Sequence, residues 1–186
     1  QLPGTTAIFS DHSGSMTTAI SDRSTVSNMD IALTLHAIAD KLSEDSVGII
    51  FGQDAAIVDS HGLSSMKLIE KMRVSDVGHS TNAHLAFEYI LANNIKVDRV
   101  ILLSDMQTYH SGGLNSGWGV DVSSKWDAYR AKVNPKAWLH AVDLSGYGTS
   151  VVPINDKNVG LHAGWNEKFL DTIEFTESGI GGLIAE

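Results

Sequence analysis

Apolar residues along this chain gather in short runs that alternate with amphipathic stretches. The run TTAIFSD, residues 5–11, is partly β-branched and predicts a strand, which passes through a loop into SNMDIALTLHAIADKLSED, residues 27–45. There Ile31, Leu35, Ile38 and Leu42 recur at helical spacing. Ser27, with Asp30 three residues on, forms a capping-box pattern in which Asp stands for the usual Glu. SVGIIFG (46–52) and AAIVDS (55–60) are separated by hardly more than Gln53-Asp54, which is hairpin spacing and predicts one antiparallel edge strand.

A short helix is expected over 64–72 and a longer one over 80–94, with Leu85, Tyr89 and either Ala86 or Ile90 on a common face. DRVILLSD (98–105) is a continuous apolar run of the kind that fills a strand covered on both faces. VSSKWDAYRAKVNP (122–135) then predicts a helix ended by Asn134-Pro135, KAWLHAVDL (136–144) a strand, NVGLHAG (158–164) a short last strand, and 166–178 a closing helix. Strands alternating with helices imply an α/β fold. The sheet should be doubly wound and mostly parallel, with helices on both faces, because parallel neighbours need long right-handed crossovers.

At 186 residues, 42% of them hydrophobic, the chain reads as a single domain over 1–186 able to bury a substantial core. The first residue, Gln1, suggests excision from a longer protein. A net charge of -9 is the wrong sign for a phosphate backbone, so the isolated domain is expected to bind RNA weakly. The absence of cysteine excludes disulfides, thiolate nucleophiles and Cys-based metal sites, and permits a reducing, cytoplasmic setting. No run approaches the roughly 20 apolar residues of a membrane span, so no membrane partner is expected.

In doubly wound sheets ligands bind beyond the carboxyl ends of the strands, where connections depart to opposite faces. Two acidic residues stand at such ends, Asp11 after TTAIFS and Asp105 after RVILLS. Asp11-His12-Ser13-Gly14-Ser15 alone could be a turn or a helix cap, since Asp and Ser favour both. With Thr81 at the start of the next helix, however, the set becomes two carboxylates and three hydroxyls. An all-oxygen set of this kind suits a hard divalent cation such as Mg²⁺, with Mn²⁺ or Ca²⁺ as alternatives, and leaves a coordination position open.

Asp11-x-Ser13-x-Ser15, Thr81 and the LLSD that ends in Asp105 resemble, in order, the metal-ion-dependent adhesion site of the von Willebrand factor type A domain. The resemblance implies that Asp11, Ser13, Ser15, Thr81 and Asp105 hold the cation directly or through water. It also implies that an acidic side chain of a protein partner completes the coordination. LSDMQT, AWLHAVDL and NVGLHAGWNEKFLDTIEF are similar to the type A domain at the end of the Ro autoantigen (TROVE) family. In that family a helical-repeat ring, absent from this chain, binds the RNA. The implied function is a protein-binding module, monomeric when isolated, and not an enzyme.

The loop YHSGGLNSGWGVDVSSK (109–125) is longer than the Ro-like pattern leads one to expect and follows Asp105 closely. Trp118 within it is a candidate partner anchor, with packing back onto the domain as the alternative. His12, His79 and His110 neighbour the proposed site and are candidate ligand contacts, the alternative being ordinary loop histidines. His36 and His140 lie within predicted elements and read as structural, and Trp126, Trp138 and Trp165 as packing residues. A metal-assisted hydrolase or phosphotransfer enzyme is the rival class. The chain carries neither a Gly-x-Ser-x-Gly elbow nor a Gly-x-Gly-x-x-Gly loop, and Ser13 stands where an aspartyl phosphatase would have its second Asp.

Overall fold

Strand β1 (Leu2–Asp11) is the central element of the sheet, and its last six residues are fully buried because both of its neighbours and both faces are occupied. In the computed structural model the described residues are 1–106, 118–146, 158–166 and 168–179, with the backbone alone described for 118–121. After β1 come a 3₁₀ turn (Gly14–Thr17), α1 (Asn28–Leu42), β2 (Ser43–Phe51), β3 (Ala55–Val58), α2 (Ser65–Arg73) and α3 (His84–Ala92). The chain continues through β4 (Arg99–Ser104), α4 (Trp118–Lys132), β5 (Trp138–Asp143), β6 (Val159–Ala163) and α5 (Phe169–Ser178). The six strands are ordered β3-β2-β1-β4-β5-β6, and all pair in parallel except β3, the antiparallel edge.

Alternation along the strands divides the core. Phe9, Phe51, Val100, Leu102 and Leu139 face α3 and α4, where Phe87, Trp126 and Tyr129 pack on them. Ile8, Ile101, Leu103 and Val142 face α1 and α5, meeting Ile31, Leu35, Phe169 and Ile173. A third cluster joins α1 to α2 over β2 and β3. The DRVILLSD run is therefore covered on both sides, as its continuous apolar character predicts. The buried Tyr129 hydroxyl donates to the Ile95 carbonyl and accepts the Val97 N–H, both at 2.8 Å, so α4 pins the turn before β4.

The capping box is present: the Ser27 side chain accepts the Asp30 N–H and the Asp30 carboxylate accepts the Ser27 N–H. Several expectations shift. β1 starts at Leu2 rather than residue 5, and the helix expected over 80–94 shrinks to His84–Ala92. Ile38 and Leu42 are exposed, because α1 packs along a stripe through Leu33 and Ala37 as well as Ile31 and Leu35. Residues 118–121, expected as loop, form the first turn of α4, ahead of the helix expected from 122. The stripe Val122, Trp126, Tyr129 is buried at helical spacing, and its packing outweighs the glycine of that stretch. Trp126 is core and Trp138 is half-buried, but Trp165, expected to pack, is 48% exposed.

Candidate metal centre

The strand order reverses between β1 and β4, and their following helices cover opposite faces, α1 on one and α4 on the other. A crevice opens at such a switch point beyond the strand ends. The register pairs Ser10 with Leu103, which puts Asp11 level with Ser104 and next to Asp105. The Ser104 hydroxyl donates to Asp11 Oδ2 at 2.6 Å, and the Ser13 N–H donates to Asp11 Oδ1 at 2.8 Å. Both Asp11 oxygens are thus fixed, and the chain is turned so that the Ser13 and Ser15 hydroxyl oxygens stand 3.2 Å apart. Asp11, Ser13 and Asp105 are buried and Ser15 is half-buried.

Thr81 arrives on a different segment. The Gly14 N–H donates to the His79 carbonyl at 3.0 Å, the Asp54 N–H to the Val77 carbonyl at 3.0 Å, and the Asn82 N–H to the Gly52 carbonyl at 2.9 Å. The 77–82 loop is thereby laced to both the serine loop and the β2–β3 hairpin. This approach requires glycine at 52, where a Cβ would collide with the Gly78 carbonyl. Thr81 is half-buried, two residues beyond the His79 bond.

Burial pushes the Asp11 carboxyl up to about 6. Hydrogen bonds from Ser104 and Ser13 oppose that, the Asp105 carboxylate adds to it, and no basic group is among these influences. Two neighbouring carboxylates out of water, with hydroxyls for company, are a fit for a hard divalent cation. Among the described residues no three His, Asp or Glu side chains converge to hold an ion by themselves, so a cation here depends on the hydroxyl oxygens as well.

Two residues escaped the sequence reading. Ser104 orients Asp11, and its only sequence signal is its place beside Asp105 in LLSD. Met106 holds a left-handed backbone with φ of 57° while fully buried, and its N–H donates to Ser104 Oγ at 3.1 Å. A bulky residue in that region marks local strain next to the site. Ser104→Ala is expected to weaken Mg²⁺ binding about tenfold, the lower end of what removal of a ligand's supporting hydrogen bond costs. Titration calorimetry of the two proteins measures it.

The histidines divide. His79 is exposed on the rim. His12 is 6% exposed, with Nε2 buried and without a hydrogen-bond partner, and burial followed by the Arg73 charge lowers its pKa to about 4. It turns into the domain, which neither of the sequence readings anticipated. His110 lies outside the described residues, as do residues 109–117 of the long loop. Trp118 is the first residue of α4, and its side chain likewise lies outside them.

No family model matches the chain, and no curated protein is found similar to it. Solved structures are. The Ro (RSR) protein of Deinococcus radiodurans superposes with a TM-score of 0.69 at 14% identity, over 94% of this chain and 34% of that one. BatB of Bacteroides thetaiotaomicron gives 0.57 at 14% identity, over 96% and 98% of the two chains. The manganese-loaded TRAP protein of Plasmodium vivax gives 0.51 at 15% identity, over 91% and 71%. The chain has the α/β architecture of these von Willebrand factor type A folds. It spans about a third of the length of the Ro protein it matches.

Proposed function

We propose that the chain is a divalent-cation-dependent protein-binding module of a Ro-like RNA-binding protein. Asp11, Ser13, Ser15, Thr81 and Asp105 are its ligand set, and Mg²⁺ its cation, with Mn²⁺ or Ca²⁺ as alternatives. The observation that carries this reading is the buried meeting of Asp11 and Asp105 at the switch point, with the Ser13 and Ser15 hydroxyls alongside and no basic group acting on Asp11. Ser104 and the Ser13 N–H hold the Asp11 carboxylate in one orientation, so the oxygens are arranged before the ion enters. When bound, the cation supplies a positive centre that an acidic side chain of a partner can reach.

On this reading the module is a binder rather than an enzyme, monomeric in isolation and cytoplasmic. No helix among the described residues is long and apolar enough to cross a membrane. RNA binding falls to a helical-repeat ring outside this sequence. The domain alone, with its net charge of -9, should give only weak gel shifts with RNA, and tight salt-sensitive shifts would contradict that division of roles. The direct test is capture of partners from a lysate on immobilised domain. Capture is expected to fall to bead background in EDTA, to return with Mg²⁺, and to drop several-fold for Thr81→Ala. Partners held equally under all three conditions would rule out recognition through the cation.

A further inference from the structure

We propose that His140 and His162 form a second metal site, for a borderline divalent ion such as Zn²⁺ or Ni²⁺, separate from the oxygen-ligand centre. The pair sits on β5 and β6, on the face covered by α5, and His140 lies three residues before the carboxyl end of its strand. His140 Nδ1 and His162 Nε2 are 3.0 Å apart. Two imidazole nitrogens bound tetrahedrally to one zinc at about 2.0–2.1 Å each stand about 3.3–3.4 Å from one another, so a shared ion needs the two rings to part by only about 0.3–0.4 Å.

The surroundings favour ligation. His140 Nε2 lies 3.0 Å from Glu177 Oε1, and Glu177 is clamped by two Arg99 N–H bonds of 2.7 and 3.0 Å. Burial raises the Glu177 carboxyl, but hydrogen bonds from His140 and Arg99 outweigh it and hold the group below its ordinary range, so it is an ionised acceptor. His140 therefore keeps its proton on Nε2 and turns the Nδ1 lone pair toward His162. A carboxylate on the far nitrogen is the usual support of a metal-ligating histidine. Trp138 stacks on the His140 ring at 5.8 Å and fixes its plane.

His162 is half-buried, leaving one side for water ligands. Burial, with His140 adding to it, lowers its pKa to about 4, so a tautomer shift alone exposes its Nε2 lone pair at neutral pH. Beneath the two nitrogens lies Gly160, where a Cβ would come within 3.0 Å of His140 Nδ1 and 3.2 Å of His162 Nε2. Glycine keeps that space open. Neutral imidazoles select zinc, nickel or copper over magnesium.

Zn²⁺ or Ni²⁺ is titrated by calorimetry into the full chain with Mg²⁺ in excess. One site is expected in the wild type, weakened at least tenfold in both His162→Gln and Gly160→Ala, with folding checked by circular dichroism. Imidazole ¹⁵N spectra of the wild type should show His140 and His162 shifting together on Zn²⁺ addition. Equal binding by wild type and His162→Gln would assign the metal to exposed histidines such as His61 and His79 and overturn the proposal. So would unchanged His140 and His162 resonances, which would leave the pair a ring-to-ring hydrogen bond only.

Discussion

Asp105→Ala and Asp11→Ala are each expected to lower Mg²⁺ affinity at least 100-fold by calorimetry, about 2.8 kcal/mol, because each removes one of only two charged donors in the set. The same carboxylates should contribute little to the metal-free fold. Asp11 is buried beside Asp105, and burying like charges together costs stability that its hydrogen bonds to Ser104 and Ser13 only partly offset. Asp11→Asn keeps the shape and removes the charge. In EDTA its thermal midpoint should equal or exceed that of the wild type, and only the wild type should gain stability on adding Mg²⁺. Undiminished Mg²⁺ binding in both alanine variants would exclude these residues as ligands. A large metal-free loss of stability in Asp11→Asn would make the carboxylate a structural group.

The second large effect is on acid stability. His36, on α1, is 1% exposed, with Nδ1 2.6 Å from the Ser10 hydroxyl on β1. Burial lowers its pKa to about 4, with Asp40 pulling upward and His12 downward. A base whose folded pKa is depressed must be neutral to stay buried. Its contribution is therefore intact above the unfolded value near 6.5 and lost as pH falls toward 4. Over that interval the loss is about 3 kcal/mol for this one group. Urea unfolding at pH 7 and pH 4.5 should show most of it, and His36→Leu should shrink the difference between the two by a comparable amount. His12 and His162 titrate in the same window, so some slope will persist. If His36→Leu keeps the full wild-type difference, His36 is not the group that acid attacks.

Much of the architecture is legible in the sequence because it is local. The period of two in the strands, the Ser27–Asp30 capping box and the hairpin around Gln53-Asp54 each act over a few residues. Each is found, the hairpin with Gly52 joining the connection so that three residues separate Phe51 from Ala55. Helix ends are less legible, because packing decides them. Residues 118–121 carry glycine and read as loop, yet the buried Val122, Trp126, Tyr129 stripe extends α4 back to Trp118. The Asp-x-Ser-x-Ser motif identifies three candidate ligands within five residues. Ser104 is invisible as a positioning group, because its hydroxyl meets Asp11 only across a strand pair 93 residues apart.

The histidines show the same division. Composition lists eight of them without indicating that His36 lies against Ser10, that His12 turns inward, or that His140 and His162 face each other over Gly160. By itself the sequence determined the element order, the α/β class, the excluded thiol chemistry and the oxygen-rich character of the strand-end residues. Those follow from side-chain periodicity and inventory. Only the tertiary structure decided which of those residues share a crevice, how Asp11 is oriented and what burial does to each charge. Those depend on strand register and on the exclusion of water, which arise only when segments distant in the chain are packed together.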